Sequence, residues 1–292
     1  MRFETISFLS DYGLDDEFVG VVKSVIRSLA PDVMVIDITH NIAPHDVRAG
    51  GLALARATQY LAPGVVIAVV DPGVGSARRA VALEVGDGQS ILVGPDNGVL
   101  APAVAMCGGA TAAFALDKPQ FHLVTADSGV GVTFAGRDLF APVAAHLCLG
   151  VPLDELGTEV DVESLMPGLI PVARNEQDAI IAEVLWVDRY GNAQLNIDST
   201  DVEFLGSALR MRARDSVRRV MLATTYSELT TGVVGLVVDS YGLLSLCVDR
   251  GSAALELRID SGDEVRIERA EDDAVNESVD VRIALRKRGN AS

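Results

Sequence analysis

Val65-Val66-Ile67-Ala68-Val69-Val70, followed at once by Asp71-Pro72-Gly73-Val74-Gly75-Ser76-Ala77-Arg78-Arg79, decides the fold of the first half of the chain. Six consecutive apolar residues, mostly β-branched, fit a strand covered on both faces. Such a strand belongs to a largely parallel sheet with helices packed on it, and it stops where turn residues begin. The glycines let the backbone approach a ligand closely, and Arg78 is placed to fold back towards Asp71. A carboxylate beside a guanidinium keeps its charge and holds water by strong hydrogen bonds. The same two residues equally suit a structural ion pair on a tight loop.

Working outward, residues 5–10 read as a strand ending at Asp11, and 33–38 as a second strand rich in β-branched residues. Between them Phe18, Val21, Val22, Val25, Ile26 and Leu29 recur at helical spacing across 15–29. Residues 46–61 read as a helix with Asp46 at its start, where the dipole favours an anion. Downstream, 80–85 and 90–93 are strands, the second meeting the turn Gly94-Pro95-Asp96-Asn97-Gly98, and 137–149 is a helix. The alternation predicts an N-terminal α/β sandwich with a largely parallel sheet over 1–165. Pro152, Pro167, Gly168 and Pro171 break the pattern, and 166–175 is expected to be a linker. From 176 to 285 short strands dominate (179–187, 193–197, 209–212, 218–222, 233–238, 243–248 and 264–268), which predicts a small β-barrel or sandwich. The charged run 268–280 is expected to be a solvated loop, and no internal repeat is apparent.

The chain has 292 residues, of which 49% are apolar, and a formal charge of −17. That charge argues against nucleic-acid binding and suits either a cationic small molecule or plain solubility. Cys107, Cys148 and Cys247 form no C-x-x-C pair and are odd in number, pointing to a reducing compartment rather than a disulfide framework. No basic segment followed by an apolar one opens the chain, and no apolar run approaches the ~20 residues needed to span a bilayer. A cytoplasmic location, with no membrane partner, is therefore expected. Gly73-Val74-Gly75 fails to complete G-x-G-x-x-G at Arg78, and Gly129-Val130-Gly131 fails at Phe134; neither G-x-x-x-x-G-K-[ST] nor G-x-S-x-G occurs. His40, His45, His122 and His146 form no zinc-binding pattern, so no metal is expected.

Ligands of open α/β sheets bind beyond the carboxyl ends of the strands. Asp11, Asp71 and Asp96 all fall there. One aspartate at such a place starts a turn as readily as it serves a site; three at one edge point to a site. In the second half, Asp188-Arg189-Tyr190-Gly191-Asn192 closes a strand and sets a carboxylate, an aromatic ring and an amide within five residues. An amide suits the donor–acceptor edge of adenine and a tyrosine face suits its ring, although such a segment is also an ordinary hairpin turn.

Taken together these segments resemble the S-adenosylmethionine (SAM) hydroxide adenosyltransferase, or SAM hydrolase, family, which is related to the fluorinases and chlorinases. The resemblance runs through Phe8-Leu9-Ser10-Asp11-Tyr12-Gly13, Ile36-Asp37-Ile38-Thr39-His40, Pro44-His45-Asp46-Val47-Arg48, Asp71-Pro72-Gly73-Val74-Gly75, Val93-Gly94-Pro95-Asp96-Asn97-Gly98, Thr133-Phe134-Ala135-Gly136-Arg137-Asp138 and Asp188-Arg189-Tyr190-Gly191-Asn192. It implies an N-terminal α/β domain, a C-terminal β-barrel and a homotrimer with active sites between subunits. SAM would be the substrate, adenosine and methionine the products, with no further cofactor. Asp11 would hold the ribose diol, and Tyr190 and Tyr226 would sandwich adenine. Asn192 would meet the adenine edge with main-chain help near Ala254. Asp188 and Ser240 would grip the methionine ammonium and carboxylate. His45, Phe134 and Gly136 fall in matching segments and are carried over as substrate-binding positions. Asp71 and Arg78 match two members of the hydrolases' Asp–Arg–His water-handling set.

The third member departs from the pattern: Ala135 stands where the hydrolases carry histidine. Either the natural protein lacks that imidazole or the chain carries a substitution made to slow turnover. Both readings lower the rate more than they alter the ligand. The chemistry tolerates the loss, because a neutral thioether leaves a sulfonium without needing a general acid. Alignment of water with C5′ supplies much of the barrier reduction, and a positioned base typically adds ~10²–10⁴-fold. The competing readings are a halogenase, disfavoured because Asp71 repels a halide, and a SAM- or adenosine-binding protein without turnover. A conventional methyltransferase is disfavoured by the missing glycine fingerprint.

Overall fold

The computed structural model describes residues 3–123 and 131–270. The charged run beyond residue 270 and Gly129-Val130 lie outside the described residues. The chain divides into two compact units, Met1–Ile170 and Pro171–Ser292.

In the first unit, β1 (Thr5–Ser10), α1 (Phe18–Leu29), β2 (Met34–Thr39), α2 (Val47–Thr58) and β3 (Val65–Val69) are followed by β4 (Ala80–Val85) and β5 (Ser90–Pro95). Then come α3 (Ala101–Met106), β6 (Ala110–Ala115), a π-helical turn (Gly136–Phe140) leading into α4 (Ala141–Leu149), α5 (Leu153–Leu156) and β7 (Thr158–Glu159). The sheet order is β2-β1-β3-β5-β4-β6-β7. β2, β1, β3 and β5 are mutually parallel, with Ile6 beside Val65 and Ile67 beside Val93. β4 runs antiparallel between β5 and β6.

β3 is buried along its whole length, and its side chains serve two cores in alternation, as the pleat requires. Val65, Ile67 and Val69 pack with Ile6, Phe8, Val22 and Ile26 of α1, and Val143 and Leu147 of α4. Val66, Ala68 and Val70 pack with Leu54 of α2, Leu92 and Ala103 of α3. Asp46 caps α2 by accepting from the Ala49 amide at 2.8 Å, the anionic start expected from the sequence. α3 and β6 escaped the sequence reading because both are alanine-rich, and alanine carries neither period.

The helix expected over 137–149 opens with a π turn, for a physical reason. Pro142 has no N–H, so the Asp138 carbonyl loses its helical donor. The Ala141 amide reaches back to Gly136 O instead, and Asp138 O accepts the Leu123 amide at 2.7 Å.

The second unit holds β8 (Arg174–Glu176), β9 (Ala179–Val187), β10 (Ala193–Leu195), β11 (Leu209–Ala213), β12 (Ser216–Ala223), β13 (Val234–Val238), β14 (Leu244–Val248), α6 (Ala253–Leu257) and β15 (Glu264–Arg269). The order β10-β14-β13-β12-β11-β15-β9 closes on itself because β10 also pairs with β9. This settles the choice between barrel and sandwich, and β8 lies outside the closed ring, on β9. Ile180, Val184, Leu195, Met211, Leu236, Leu246 and Ile267 fill the interior. Cys107, Cys148 and Cys247 are free thiols. Among the described residues no helix is long and apolar enough to cross a membrane.

Two glycines test the packing of the first unit. A Cβ on Gly94 in β5 would run into the Ala68 backbone carbonyl of β3, whereas Gly20 on α1 has open space around it. Gly94→Ala is expected to destabilise by about 1–3 kcal/mol, read as a lower urea midpoint. Gly20→Ala is expected to raise the midpoint, by up to about 1 kcal/mol from helix propensity.

Candidate active site

At the carboxyl end of β1 the chain turns sharply, and buried polar groups fix the turn. Ser10 Oγ and His40 Nδ1 are 2.8 Å apart and both side chains are buried. The Tyr12 amide donates to Ser10 Oγ at 3.3 Å and the Gly13 amide to His40 O at 2.8 Å. This accounts for the Thr39-His40 segment: it holds the Asp11-Tyr12-Gly13 turn. Asp11 Oδ2 accepts the His45 amide at 2.8 Å. His45 itself is exposed and adopts φ 69°, a conformation rare for a non-glycine residue.

One strand over, Asp71 lies two residues past the end of β3. Arg78 Nε lies 2.9 Å from both Asp71 carboxylate oxygens, and Nη2 also donates to Oδ2. The Asp71 side chain is only 4% exposed and that of Arg78 15%. The loop between them is held by Val74 N–H to Asp71 O at 3.2 Å and Ser76 N–H to Gly73 O at 3.1 Å. Gly75, at φ 78°, permits the turn. Arg78 also lies over the Phe140 ring, 5.5 Å from its centroid.

Asp96, the third strand-end aspartate, has a different task. Arg79 Nε donates to its Oδ2 at 2.8 Å and the Met166 amide to its Oδ1 at 2.8 Å. Arg79 continues to Ser164 O at 2.6 Å. Asp96 therefore pins the 164–166 segment through Arg79 and the Met166 amide, a structural task beside its place at the sheet edge.

Phe134 and Gly136 come together around Tyr12, a residue of the Asp11-Tyr12-Gly13 turn to which no motif assigns a role. The Tyr12 ring packs edge-on to Phe134 at 5.6 Å and at a tilt to Phe18 at 5.7 Å. The Gly136 amide donates to the Tyr12 hydroxyl, and a Cβ at Gly136 would collide with that oxygen. Burial, then the Asp11 and Asp71 carboxylates, raises the Tyr12 phenol well above its ordinary pKa. The proton therefore stays on the hydroxyl near neutral pH. Ala135 is half-buried and lines a cavity of about 450 Å³ together with Ser76, Arg78, His122 and Asp138.

The second unit presents two copies of one turn, a short repeat missing from the sequence reading. Val187-Asp188-Arg189-Tyr190-Gly191 and Val238-Asp239-Ser240-Tyr241-Gly242 follow β9 and β13. Asp188 Oδ1 accepts the Tyr190 and Asn192 amides, both at 2.8 Å. Asp239 Oδ1 accepts those of Tyr241 at 2.8 Å and Leu243 at 3.2 Å. Gly191 and Gly242 take φ 84° and 82°. The strands that follow, β10 and β14, pair with each other. The Asn192 amide nitrogen donates to Asp188 Oδ2 at 2.8 Å, while Asp239 Oδ2 accepts from buried Gln194 at 2.6 Å and from Ser245 at 3.1 Å. The repeated D-x-Y-G was the signal that would have identified Asp239.

Tyr190 is 78% exposed and lines a depression of about 660 Å³ with Asp188, Ser252 and Ala254. The Ala254 amide donates to Gly191 O at 2.9 Å. Ser240 is exposed in the second turn. Tyr226 is part-exposed; burial, then Cys247 and the Asp188 and Asp239 carboxylates, raises its phenol pKa. Burial and the same two carboxylates push the Cys247 thiol up to about 12.

Comparison with known proteins places these features in a lineage. Residues 6–157 match the SAM hydroxide adenosyltransferase N-terminal domain and 182–266 its C-terminal domain. A protein of Salinispora tropica named (R)-S-adenosyl-L-methionine hydrolase is 45% identical over 90% of this chain and 97% of its own. One of the same name from Thermus thermophilus is 41% identical over 90% and 98%. A fluorinase of an Actinoplanes species is 25% identical over 91% and 97%. The crystal structure of a conserved Thermotoga maritima protein superposes with a TM-score of 0.81 at 33% identity, covering 90% of this chain and all of that one. The chain belongs to the SAM hydroxide adenosyltransferase family.

Proposed function

We propose that this protein hydrolyses S-adenosyl-L-methionine to adenosine and L-methionine by attack of water on the ribose C5′. The observation that carries the reading is the buried Asp71 carboxylate gripped by Arg78 at the end of β3. The names of the relatives at 41% and 45% identity support it. In the reaction the water oxygen forms a bond to C5′ while the C5′–S bond breaks. The electron pair goes to sulfur, giving neutral methionine thioether, and the water's proton is released. Asp71 orients the water and takes its proton late, and Arg78 fixes the carboxylate in place. Preorganised charge of this kind does not have to be assembled during the reaction.

The remaining assignments are proposals on the same footing. Asp11 binds the ribose diol, with His45, Phe134 and Gly136 as neighbouring substrate contacts. Tyr190 and Tyr226 stack on adenine, Asn192 and the Ala254 main chain meet its edge, and Asp188 and Ser240 take the amino-acid end. The reaction needs no added cofactor. A homotrimer in the cytoplasm is the assembly and location proposed from the family resemblance. Halide as the nucleophile is disfavoured because Asp71 would repel it.

Ala135 favours a second reading, a SAM- or adenosine-binding protein without turnover. Incubation of the pure protein with SAM separates the two. Adenosine and methionine in equal amounts are expected, whereas retained SAM, or methylthioadenosine as the main product, contradicts hydrolysis. The Ala135 position yields its own prediction. Ala135→His is expected to raise kcat roughly 10-fold with little change in KM, because the imidazole acts in the transition state. Asp71→Asn is expected to lower kcat in both backgrounds. Steady-state kinetics checks both.

A further inference from the structure

His122 lines the cavity that Arg78 and Ala135 also line. Its Nε2 is buried and has no hydrogen-bond partner among the described residues. The ring also interacts with the Leu116 backbone; with Nδ1 as the donor to that carbonyl, Nε2 of the neutral ring is an acceptor. A buried acceptor left without a donor is costly, and such positions call for a water or a ligand. The cavity, about 450 Å³, has room for several waters, and Ser76, Arg78 and Asp138 line it along with His122.

The segment carrying His122 is fixed against this cavity. The His122 amide donates to Pro119 O at 3.0 Å, and the next amide, Leu123, donates to Asp138 O at 2.7 Å. That second bond exists because Pro142 cannot use the Asp138 carbonyl. The π turn thus ties His122 to the same turn of chain that carries Ala135. The charged residues that share the cavity with His122 are Arg78 and Asp138, and the Asp117 carboxylate also acts on the ring electrostatically. Both oxygens of Asp138 are taken by Arg137.

We propose that His122 is a positioning residue for the nucleophilic water: its Nε2 accepts a hydrogen bond from a cavity water, supplying by relay the acceptor that an imidazole at 135 would supply directly. The inference rests on the hydrolase reading above. Water attacks C5′ as described there; the ring accepts a hydrogen bond and takes no proton. Burial lowers the His122 pKa below its ordinary 6.5, so the acceptor form prevails at neutral pH. It is lost as pH falls through that lowered value.

The test is SAM turnover by the full chain and its His122→Phe, His122→Gln, Ala135→His and Ala135→His/His122→Phe variants, between roughly pH 5 and 8. His122→Phe is expected to lower kcat about 10-fold with KM unchanged and to abolish the acid limb of the rate profile. His122→Gln, which keeps an acceptor, is expected to recover most of the rate and also to lack the limb. In the Ala135→His background the same Phe substitution is expected to cost less than about twofold, a non-additivity that a packing role does not produce. An unchanged kcat and acid limb in His122→Phe, or an equal loss in both backgrounds, overturns the inference and leaves the hydrolase reading standing. A parent chain that binds SAM but makes no adenosine overturns both. Should the Phe variants not fold, ¹⁵N imidazole spectra of the parent decide: Nδ1–H with unprotonated Nε2 is expected, and the opposite tautomer overturns the proposal.

Discussion

The ion pair between Asp71 and Arg78 is the interaction on which the rest of the first unit's site depends. A carboxylate at the end of a fully buried strand loses most of its hydration, and without a partner that loss is prohibitive. Arg78 supplies the partner, engaging both oxygens. Removing one member of such a pair typically costs about 3–5 kcal/mol. The geometry of the loop from Pro72 to Ala77 follows from this: it must bring a residue seven places on back to the strand end, and Gly75 gives it the turn to do so. The contact that stabilises the strand end therefore also holds a charged group at the sheet edge.

Around that pair the fold places groups by ordinary means. The sheet is parallel through β2, β1, β3 and β5, so Asp11 and Asp71 emerge from adjacent strand ends. Tyr12 is lodged against Gly136 because the absence of a side chain there leaves room for the hydroxyl. Pro142 leaves the Asp138 carbonyl without its helical donor, a π turn precedes it, and π turns are frequent at functional sites. In the second unit the same economy appears twice: an aspartate gathers the amides of its own turn, a glycine completes it, and a tyrosine is left exposed at the tip.

Much of this was legible in the residues. The runs at β1, β3 and β5 are apolar and β-branched enough to fix their state alone, and Arg78 lies close enough in sequence to Asp71 for the pairing to be read locally. What was not legible depends on tertiary context. Alanine-rich α3 and β6 carry no period, so only their packing partners decide between helix and strand. Barrel closure rests on short β10, whose Ala193 and Gln194 pair on both sides, which no strand pattern encodes. Asp96 looked like its two neighbours until Arg79 and the Met166 amide, distant in sequence, were seen to occupy it. His122 belongs to no motif in the sequence, and its cavity is built from segments that only the fold brings together.

In the proposed reaction the Asp71–Arg78 pair serves attack by water at the ribose C5′. Reaction of the unaltered chain with SAM in ¹⁸O-enriched water, followed by mass spectrometry of the nucleoside, tests it most directly. Adenosine carrying one ¹⁸O in its 5′-hydroxyl is expected, with methionine carrying none. Adenosine free of label would contradict it.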